Sequence, residues 1–567
     1  MFYSLLRIGR LTGELPFEKV KEEGDLCIVV FNADKRTIEF ERYRLGQGDE
    51  EKYAYIKDAD ARKHQICLTT KYPDRIFGFY VDKKDGKSFP SEKFALREVA
   101  ERLKGRPIGD LLKNRVLSWY DPDKFKDDIL KRRNEWDDCK LYTVKIIDGG
   151  KEIYPAEDEE YRRSLFYSGE LEEGVCQFCG KNMVLKNPDY PNGTLLKIFI
   201  VDKKGFLPGL SEDAISIAHS VCPECRLDLI EGDHYVERNL RSRIRNINVY
   251  VIPEVSERST RDFIQKFSYD EEGYILANIR KIINGEQLVQ DISQGEDPRL
   301  TLVIGGRERA KFRVRRVISE VRYFRILETI RAFNEARSYV FRGYDRRISF
   351  AELYDILPIE GEDPRYFIEL FDSILQGAPV SDSYIYSLFL RSIRCNHYGT
   401  CVNKATNDFR LHELVLLAET YIYALSKLKI MSLKVESSST EDPIEYAKSL
   451  GLSDGEVGVF LLGVLTAEVG SRQYSESDTK REPILDKIDF EGMSPDDIVV
   501  FSNRLFESMK IYKVLDLYNE ALFHEAVKRV KAYVNHLEDP QRNVFNLLLG
   551  YSYQKNRIFN LAKNKGD

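Results

Sequence analysis

Two cysteine pairs, Cys176-Gln-Phe-Cys179 and Cys222-Pro-Glu-Cys225, constrain this 567-residue chain more than any other feature. Each C-x-x-C turn aims two thiolates the same way, and two turns supply the four sulfurs of a tetrahedral structural zinc site. The expected ligands are Cys176, Cys179, Cys222 and Cys225. Gly180 follows the first pair, where such a turn needs positive φ and glycine takes it at little steric cost. Four thiolates close the coordination shell, so the zinc is expected to hold the fold and run no chemistry. Two unrelated buried pairs, or a redox dithiol, are the rival readings. The redox reading is weakened because neither pair sits in an obvious β-α-β pattern. The 42 residues between the pairs include Leu195-Leu-Lys-Ile-Phe-Ile-Val201, which reads as a strand, and the turn-like Asp202-Lys-Lys-Gly205. The zinc would then staple the base of an inserted excursion.

A chain of this length needs more than one core. The periodicity predicts an α+β fold: a mixed N-terminal region with the four-cysteine zinc insertion, followed by an α-helical C-terminal region. The expected divisions are 1–165, a zinc-knuckle segment 166–256, a basic hairpin and helical region 257–430, and a helical bundle 431–567. Asp25–Phe31 and Thr37–Tyr43 read as paired strands around an Asn32–Lys35 turn. Phe94–Leu103 and Asp121–Trp136 read as helices, the second with Asp121 as N-cap and Pro122 at its first position. Asn248–Pro253 reads as a strand stopped by proline. Arg299–Ile304 and Arg309–Ile318 flank Gly305-Gly306 as a hairpin. Helical spacing then predicts Arg322–Ala336, Asp363–Gln376, Ser381–Arg394, Asn407–Lys427, Glu456–Ala467, Pro495–Lys513 and Asn519–Leu537.

The remaining cysteines, Cys27, Cys67, Cys139, Cys395 and Cys401, are odd in number and scattered, which suggests reduced thiols in a cytosolic protein. A second metal site at Cys395, His397, Cys401 and His412 fits no common ligand spacing, and core or surface roles are expected for them. Arg7 and Arg10 interrupt any signal-peptide core, and the apolar stretch around Val457–Leu465 is too short to span a bilayer. The reading is a cytoplasmic protein with no membrane partner.

The net charge of −6 says little, but its distribution says more. Between Arg307 and Arg347 stand thirteen Arg or Lys against five Asp or Glu. A locally basic segment in a mildly acidic chain suits a protein that holds nucleic acid at one place. Residues two apart on a strand share a face, so Arg307, Arg309, Lys311, Arg313 and Arg315 are expected to form one row of cations. The alternative is a solvated strand face. If Tyr235–Arg245 is helical, Arg238, Arg241 and Arg245 share a second basic face. An ordinary salt-bridged helix is the competing reading there. Lys203 and Lys204 lie on the expected loop between the cysteine pairs, where a solvated turn is the better reading. The chain contains no G-x-x-x-x-G-K-S/T, H-E-x-x-H or G-x-S-x-G motif, and no catalytic residue is expected.

Taken together and in order, several features resemble the large subunit of type I-B CRISPR surveillance (Cascade) complexes. They are the paired cysteines, the strand ending in Ile252-Pro253, and the basic hairpin running into Val317-Ile-Ser-Glu-Val321. A tail with Phe460-Leu-Leu-Gly-Val-Leu465, Gln473 and Pro483-Ile484 completes the set. The resemblance covers roughly residues 170 to 567. It implies a non-catalytic protein that contacts the 5′ end of a guide RNA and the protospacer-adjacent motif of target double-stranded DNA. Other Cascade subunits and a helicase-nuclease are the implied partners. It also implies that the C-terminal helices resemble the small subunit along the displaced strand, with Lys528-Arg529 and Tyr551–Arg557 as candidate contacts. Such a small subunit can arise by internal translation, which makes Met431 a plausible start. The rival functions are a stand-alone zinc-ribbon nucleic-acid binder and a metal-dependent nuclease.

Overall fold

In a computed structural model, β1 (Asp25–Asn32) is an almost continuous buried run, from Leu26 to Ala33, with both of its faces covered. The residues described are 1–13, 24–45, 67–81, 88–91, 94–165, 170–186, 188, 190–191, 193–196, 219–254, 299–308, 311–342, 344, 348–437, 440–477 and 481–564. Such a run belongs in the middle of a sheet, because one-sided exposure would require alternation. β1 pairs antiparallel with β2 (Thr37–Arg44), Val29 facing Phe40. The Phe79–Val81 strand β3 and the Ser88–Pro90 strand β4 form a separate small pair. On its other side β1 runs parallel to β5 (Leu141–Asp148), Val29 facing Val144, and β6 (Lys151–Ile153) closes the order β2-β1-β5-β6. A parallel pair requires a crossover, here supplied by helices Ala95–Arg102, Pro107–Leu111 and Pro122–Lys131. As the sequence predicts, Asp121 caps the last of these by accepting the Asp123 N–H, with Pro122 at its first position. That helix stops at Lys131, five residues short of the expected Trp136, and a 3-10 turn at Arg133–Glu135 follows.

The described chain divides into two compact units. Among the described residues, the first holds those of 1–239 and 305–314; the second holds those of 240–254, 299–304 and 315–564. Within the first, helix Phe2–Thr12 lies on helix Pro223–Asn239. The crossing is set by two glycines. A Cβ at Gly9 would stand 1.8 Å from the Asp228 carbonyl oxygen, and one at Gly232 would stand 1.9 Å from that of Leu5. Leu5, Leu6 and Ile8 are buried there. β7 (Leu171–Glu173) and β8 (Met183–Leu185) form a short ribbon around the first cysteine pair.

A second four-stranded sheet has the order β12-β11-β10-β9, built from β9 (Arg241–Ile244), β10 (Ile247–Glu254), β11 (Arg299–Glu308) and β12 (Lys311–Arg322). The remainder of the second unit is helical. Leu411–Lys427 is buried nearly all round, as befits a central helix. Asp454–Glu476 crosses Pro540–Asn564 at Gly463 and Gly550, where added Cβ atoms would each stand 1.9 Å from the opposing carbonyl oxygens of Leu547 and Phe460. Tyr386 meets Phe545 edge-on at 5.1 Å, so the last helix also packs on Asp382–His397. Helices Phe2–Thr12, Pro443–Ser449 and Pro540–Asn564 add to those the periodicity predicts.

The expectation of reduced thiols holds for buried Cys27, Cys67 and Cys139 and fails for the other two: Cys395 and Cys401 form a disulfide. Gly399 takes φ +67° just past helix Asp382–His397, and this reversal returns Cys401 to Cys395. The thiol count therefore no longer argues for a reducing compartment. Among the described residues, no helix is long and apolar enough to cross a membrane.

Candidate metal centre and nucleic-acid interface

The four cysteine sulfurs lie within 4.8 Å of one another, and Cys179 Sγ is 3.6 Å from Cys222 Sγ. A tetrahedral zinc with bonds of about 2.3 Å sets its sulfurs about 3.8 Å apart, so the donor set fits that ion. Each half of the site is built locally. In the first turn the Gly180 N–H donates to the Cys176 carbonyl at 2.9 Å, and Gly180 takes φ +75° as the motif requires. The Cys176 N–H donates to the Lys181 carbonyl at 2.8 Å, closing the loop. The second pair sits at the start of helix Pro223–Asn239, where unpaired N–H groups and the helix dipole favour thiolate. The halves are joined by the Gln177 N–H, which donates to the Ser220 carbonyl at 2.9 Å.

Cys176, Cys222 and Cys225 are buried and Cys179 is exposed. Burial pushes Cys222 up to about 12 and Cys225 higher still. At Cys176 burial acts the same way, but N–H groups of Cys222, Phe178 and Cys179 outweigh it and bring the thiol down to about 7. Four thiolates this close repel one another strongly unless a cation lies between them, and a divalent metal supplies that charge. Arg10 Nη2 donates to Cys225 Sγ at 3.4 Å and Arg10 Nε to Asp228 Oδ2 at 2.8 Å. A guanidinium beside the cluster offsets part of the net negative charge that a zinc with four thiolates carries. Around the first turn Phe2 and Tyr3 make edge contacts with Phe178, and the Tyr3 hydroxyl donates to the Gln177 carbonyl at 2.8 Å. The N-terminal helix therefore touches both halves of the site.

The hairpin differs from its expected form. β11 continues through Gly305-Gly306 to Glu308, and the strands reverse between 308 and 311. Gly305 is needed for close packing instead of a bare tip: a Cβ there would stand 2.4 Å from the Arg313 carbonyl oxygen. The single row of five cations is therefore split. Arg307 lies on β11, Lys311 opens β12, and Arg313 and Arg315 follow it two apart on one exposed face. Arg309 lies outside the described residues, as do Lys203, Lys204 and most of the expected Leu195–Val201 strand. Arg313 meets Glu308 at 3.5 Å, both well exposed, an ion pair that contributes little. Arg307 packs its stem against Gly193, and its charge favours the ionised form of buried Asp233.

Two models of one family match the chain: the central domain of CRISPR-associated protein TM1802 over residues 173–321, and its C-terminal domain over 348–565. Together they span more than half of the sequence. The chain belongs to the CRISPR-associated TM1802 family. No curated protein matches it. The TM1802 central domain takes in all four cysteines and the whole hairpin, ending at Val321 where the strand gives way to helix. The C-terminal domain takes in the helices from Phe350 onward.

The second basic face does not form. Helix Pro223–Asn239 ends between Arg238 and Arg241, so these residues belong to different elements. Arg241 and Arg243 lie on the exposed face of β9. Arg245 takes φ +52° in the following turn, and its Nε donates to Asp355 Oδ1 at 2.8 Å. Asp355 is buried, so Arg245 serves the fold as a buried carboxylate's counter-ion. The acidic face it meets is supplied from more than a hundred positions away, which periodicity around Arg245 does not reveal. Of the tail candidates, Arg529 is held by Glu525 and Asp454, whereas Tyr551 and Lys555 line a cavity. Of the residues weighed for a second site, Cys395 and Cys401 are joined in the disulfide, and His397 and His412 stack on Phe490 and Phe559.

Proposed function

We propose that this CRISPR-associated chain is the non-catalytic, nucleic-acid-binding large subunit of a type I-B RNA-guided interference complex. In this reading it contacts the guide RNA 5′ end and protospacer-adjacent-motif DNA, and helps dock a helicase-nuclease. The observation that carries it is the hairpin of the matched central domain, with Arg307, Arg313 and Arg315 exposed toward its turn. Exposed guanidiniums on a stiff ribbon suit phosphate contacts, whose strength comes from counterion release. The four-cysteine centre would act as the brace of that domain. With its shell closed by sulfur, a metal there would have no site for water, which favours a scaffold over a nuclease.

The test is a salt series on the full chain with guide RNA and with duplex carrying the motif. Reversing Arg313→Glu and Arg315→Glu together removes two phosphate contacts, so the log–log salt slope should fall by about 2. An unchanged slope and affinity in a folded variant means the arginines are merely solvated. Purification from the native operon separates the complex from a stand-alone binder: guide RNA and partner subunits should travel with the chain.

A further inference from the structure

Cys395 and Cys401 stand at the end of helix Asp382–His397, and the reversal that brings them together does not depend on the bond between them. The Thr400 N–H donates to the Cys395 carbonyl at 2.8 Å, and the Gly399 N–H to the Asn396 carbonyl at 3.1 Å. With Gly399 at φ +67°, these two bonds are those of a Schellman motif, which the backbone forms by itself. The sulfurs therefore stay neighbours with or without a covalent link. Both residues are half-buried, so a small thiol reaches them. Their Sγ atoms lie 3.3 and 3.7 Å from the Ser392 carbonyl oxygen. A disulfide sulfur has no hydrogen to give that oxygen, whereas a thiol has one. An acceptor is thus in place for the reduced pair. A bond between residues 6 positions apart also constrains the unfolded chain less than one that closes a long loop, so it is a weak staple for the fold.

What the bond does hold is the stretch that follows it. Asn403 Nδ2 donates to the carbonyls of Tyr354 and Asp355 at 3.2 and 3.1 Å, and Thr406 Oγ1 donates to that of Asp355 at 2.6 Å. These carbonyls lie in the last turn of helix Phe350–Ile356, where a helix runs short of its own N–H partners. Asn396 Nδ2 donates to the carbonyls of Thr406 and Phe409 at 2.8 and 3.0 Å, which ties the loop back to the helix carrying Cys395. Asp355 in turn holds Arg245 of the β9–β10 turn through its carboxylate. One residue thus joins the cysteine loop to a strand turn, and all of these groups belong to the second unit. Tyr398 and Val402 are exposed, so apolar burial adds little to hold the loop down. With the disulfide closed, the segment free to lift runs from 402 to 409; with it open, from 398 to 409.

We propose that Cys395 and Cys401 are a reversible redox clasp on this loop, opened by a dithiol reductant and closed by a disulfide oxidant. In opening, a thiolate of the reductant attacks one sulfur and forms a mixed disulfide with it. The other cysteine leaves as a thiolate and takes the proton that the attacking thiol gave up. The reductant's second thiol then displaces the first cysteine and closes the reductant's own disulfide. Two electrons and two protons pass to the cysteines, and the reductant is left oxidised; closing is the same exchange in reverse. The open form loosens the grip of Asn403 and Thr406 on Tyr354 and Asp355. The end of helix Phe350–Ile356 then frays, while the central helix Leu411–Lys427 stays folded. The clasp stands whether or not the hairpin binds nucleic acid.

The test equilibrates the full chain over a series of reduced-to-oxidised dithiothreitol ratios. Each sample is alkylated with N-ethylmaleimide for peptide mass spectrometry and followed in parallel by hydrogen exchange. Cys395 and Cys401 should gain their labels together at one ratio, and lose them together when oxidised dithiothreitol is returned. At that ratio exchange across 350–356 and 398–409 should speed up about tenfold, with Leu411–Lys427 and Asp454–Glu476 unchanged. Thr406→Val keeps both sulfurs and should raise exchange at 350–356 even with the disulfide closed. The double variant Cys395→Ser, Cys401→Ser should show the open pattern at every ratio. The wild-type titration stands on its own if either variant fails to fold. Three results overturn the clasp. Both cysteines still label in fully oxidised dithiothreitol; or reduction leaves 350–356 as protected as before; or reduction melts Leu411–Lys427 as well, which makes the bond a staple of the whole unit.

Discussion

In the first unit two helices cross at Gly9 and Gly232, and the crossing places Arg10 against a cysteine thiolate. The second unit repeats the device at Gly463 and Gly550, where no thiol lies alongside: Phe460, Leu461, Leu547 and Leu548 are buried around it, with Thr466 and Asn546 buried among them. Close backbone approach thus serves two ends. The second unit has long helices, such as Asp454–Glu476 and Pro540–Asn564, whose buried faces suffice to hold them. Around the cysteines, β7 and β8 have three residues each. Ribbons that short need a staple, and four sulfurs supply a place for one.

Removing the metal should have the largest effect, and on one unit alone. Chelation, or Cys222→Ser, withdraws a contribution on the order of 10 kcal/mol if the ion is zinc. Hydrogen exchange should rise sharply across 170–186 and 219–239 while Leu411–Lys427 keeps its protection. Uniform protection in both segments would show that the thiols need no metal, as would a folded, reduced sample containing no zinc.

The glycine crossings come next. Alanine gains about 1 kcal/mol over glycine in helix propensity, so a net loss understates the clash by that amount. With Cβ atoms 1.8–1.9 Å from carbonyl oxygens, Gly9→Ala and Gly550→Ala should each lower stability by about 3 kcal/mol. If Gly9→Ala is harmless in thermal melts while Gly550→Ala is not, the metal and not the crossing organises the first unit.

The smallest effect is electrostatic and belongs to the helical unit. Burial pushes the Glu419 carboxyl up to about 8, against the pull of Arg542. The folded chain keeps a proton that the unfolded chain releases near 4.5, so this group's stabilisation is full below pH 4.5 and lost as pH rises to 8. Glu419→Gln should therefore raise the melting temperature by a few degrees at pH 8 and hardly at pH 4.5. An equal shift at both values would place Glu419 in a charged, paired state at all pH.

The sequence made the four-cysteine cluster legible, because C-x-x-C spacing is local and Gly180 reports its own φ, whereas Arg10 and Tyr3 beside it were not. Helices such as Arg365–Gln376 and Pro495–Ile511 were readable for a similar reason: apolar spacing and caps lie within the element. The hairpin turn was misplaced because glycine serves reversal and close approach alike, and Gly305 does the second against Arg313. The Arg238–Arg245 face failed at Leu240, where the chain leaves the helix for β9. Helix Phe2–Thr12 was missed since its partner surface lies two hundred positions away. The cavity lined by His412, Arg481 and Phe559 was invisible for the same reason, its lining being drawn from four separated segments.

The contact between Phe2–Thr12 and Pro223–Asn239 also has a schedule. Translation emits the first helix long before the segment that covers Leu5, Leu6 and Ile8. At about 5–20 residues per second, the apolar stripe waits on the order of ten to forty seconds before Gly232 emerges to meet Gly9. The thiols of Cys176 and Cys179 wait several seconds for theirs. Nascent chains of this protein therefore spend their youth with a sticky helix and an open pair of sulfurs, and the ribosome sets when the four thiols can first meet.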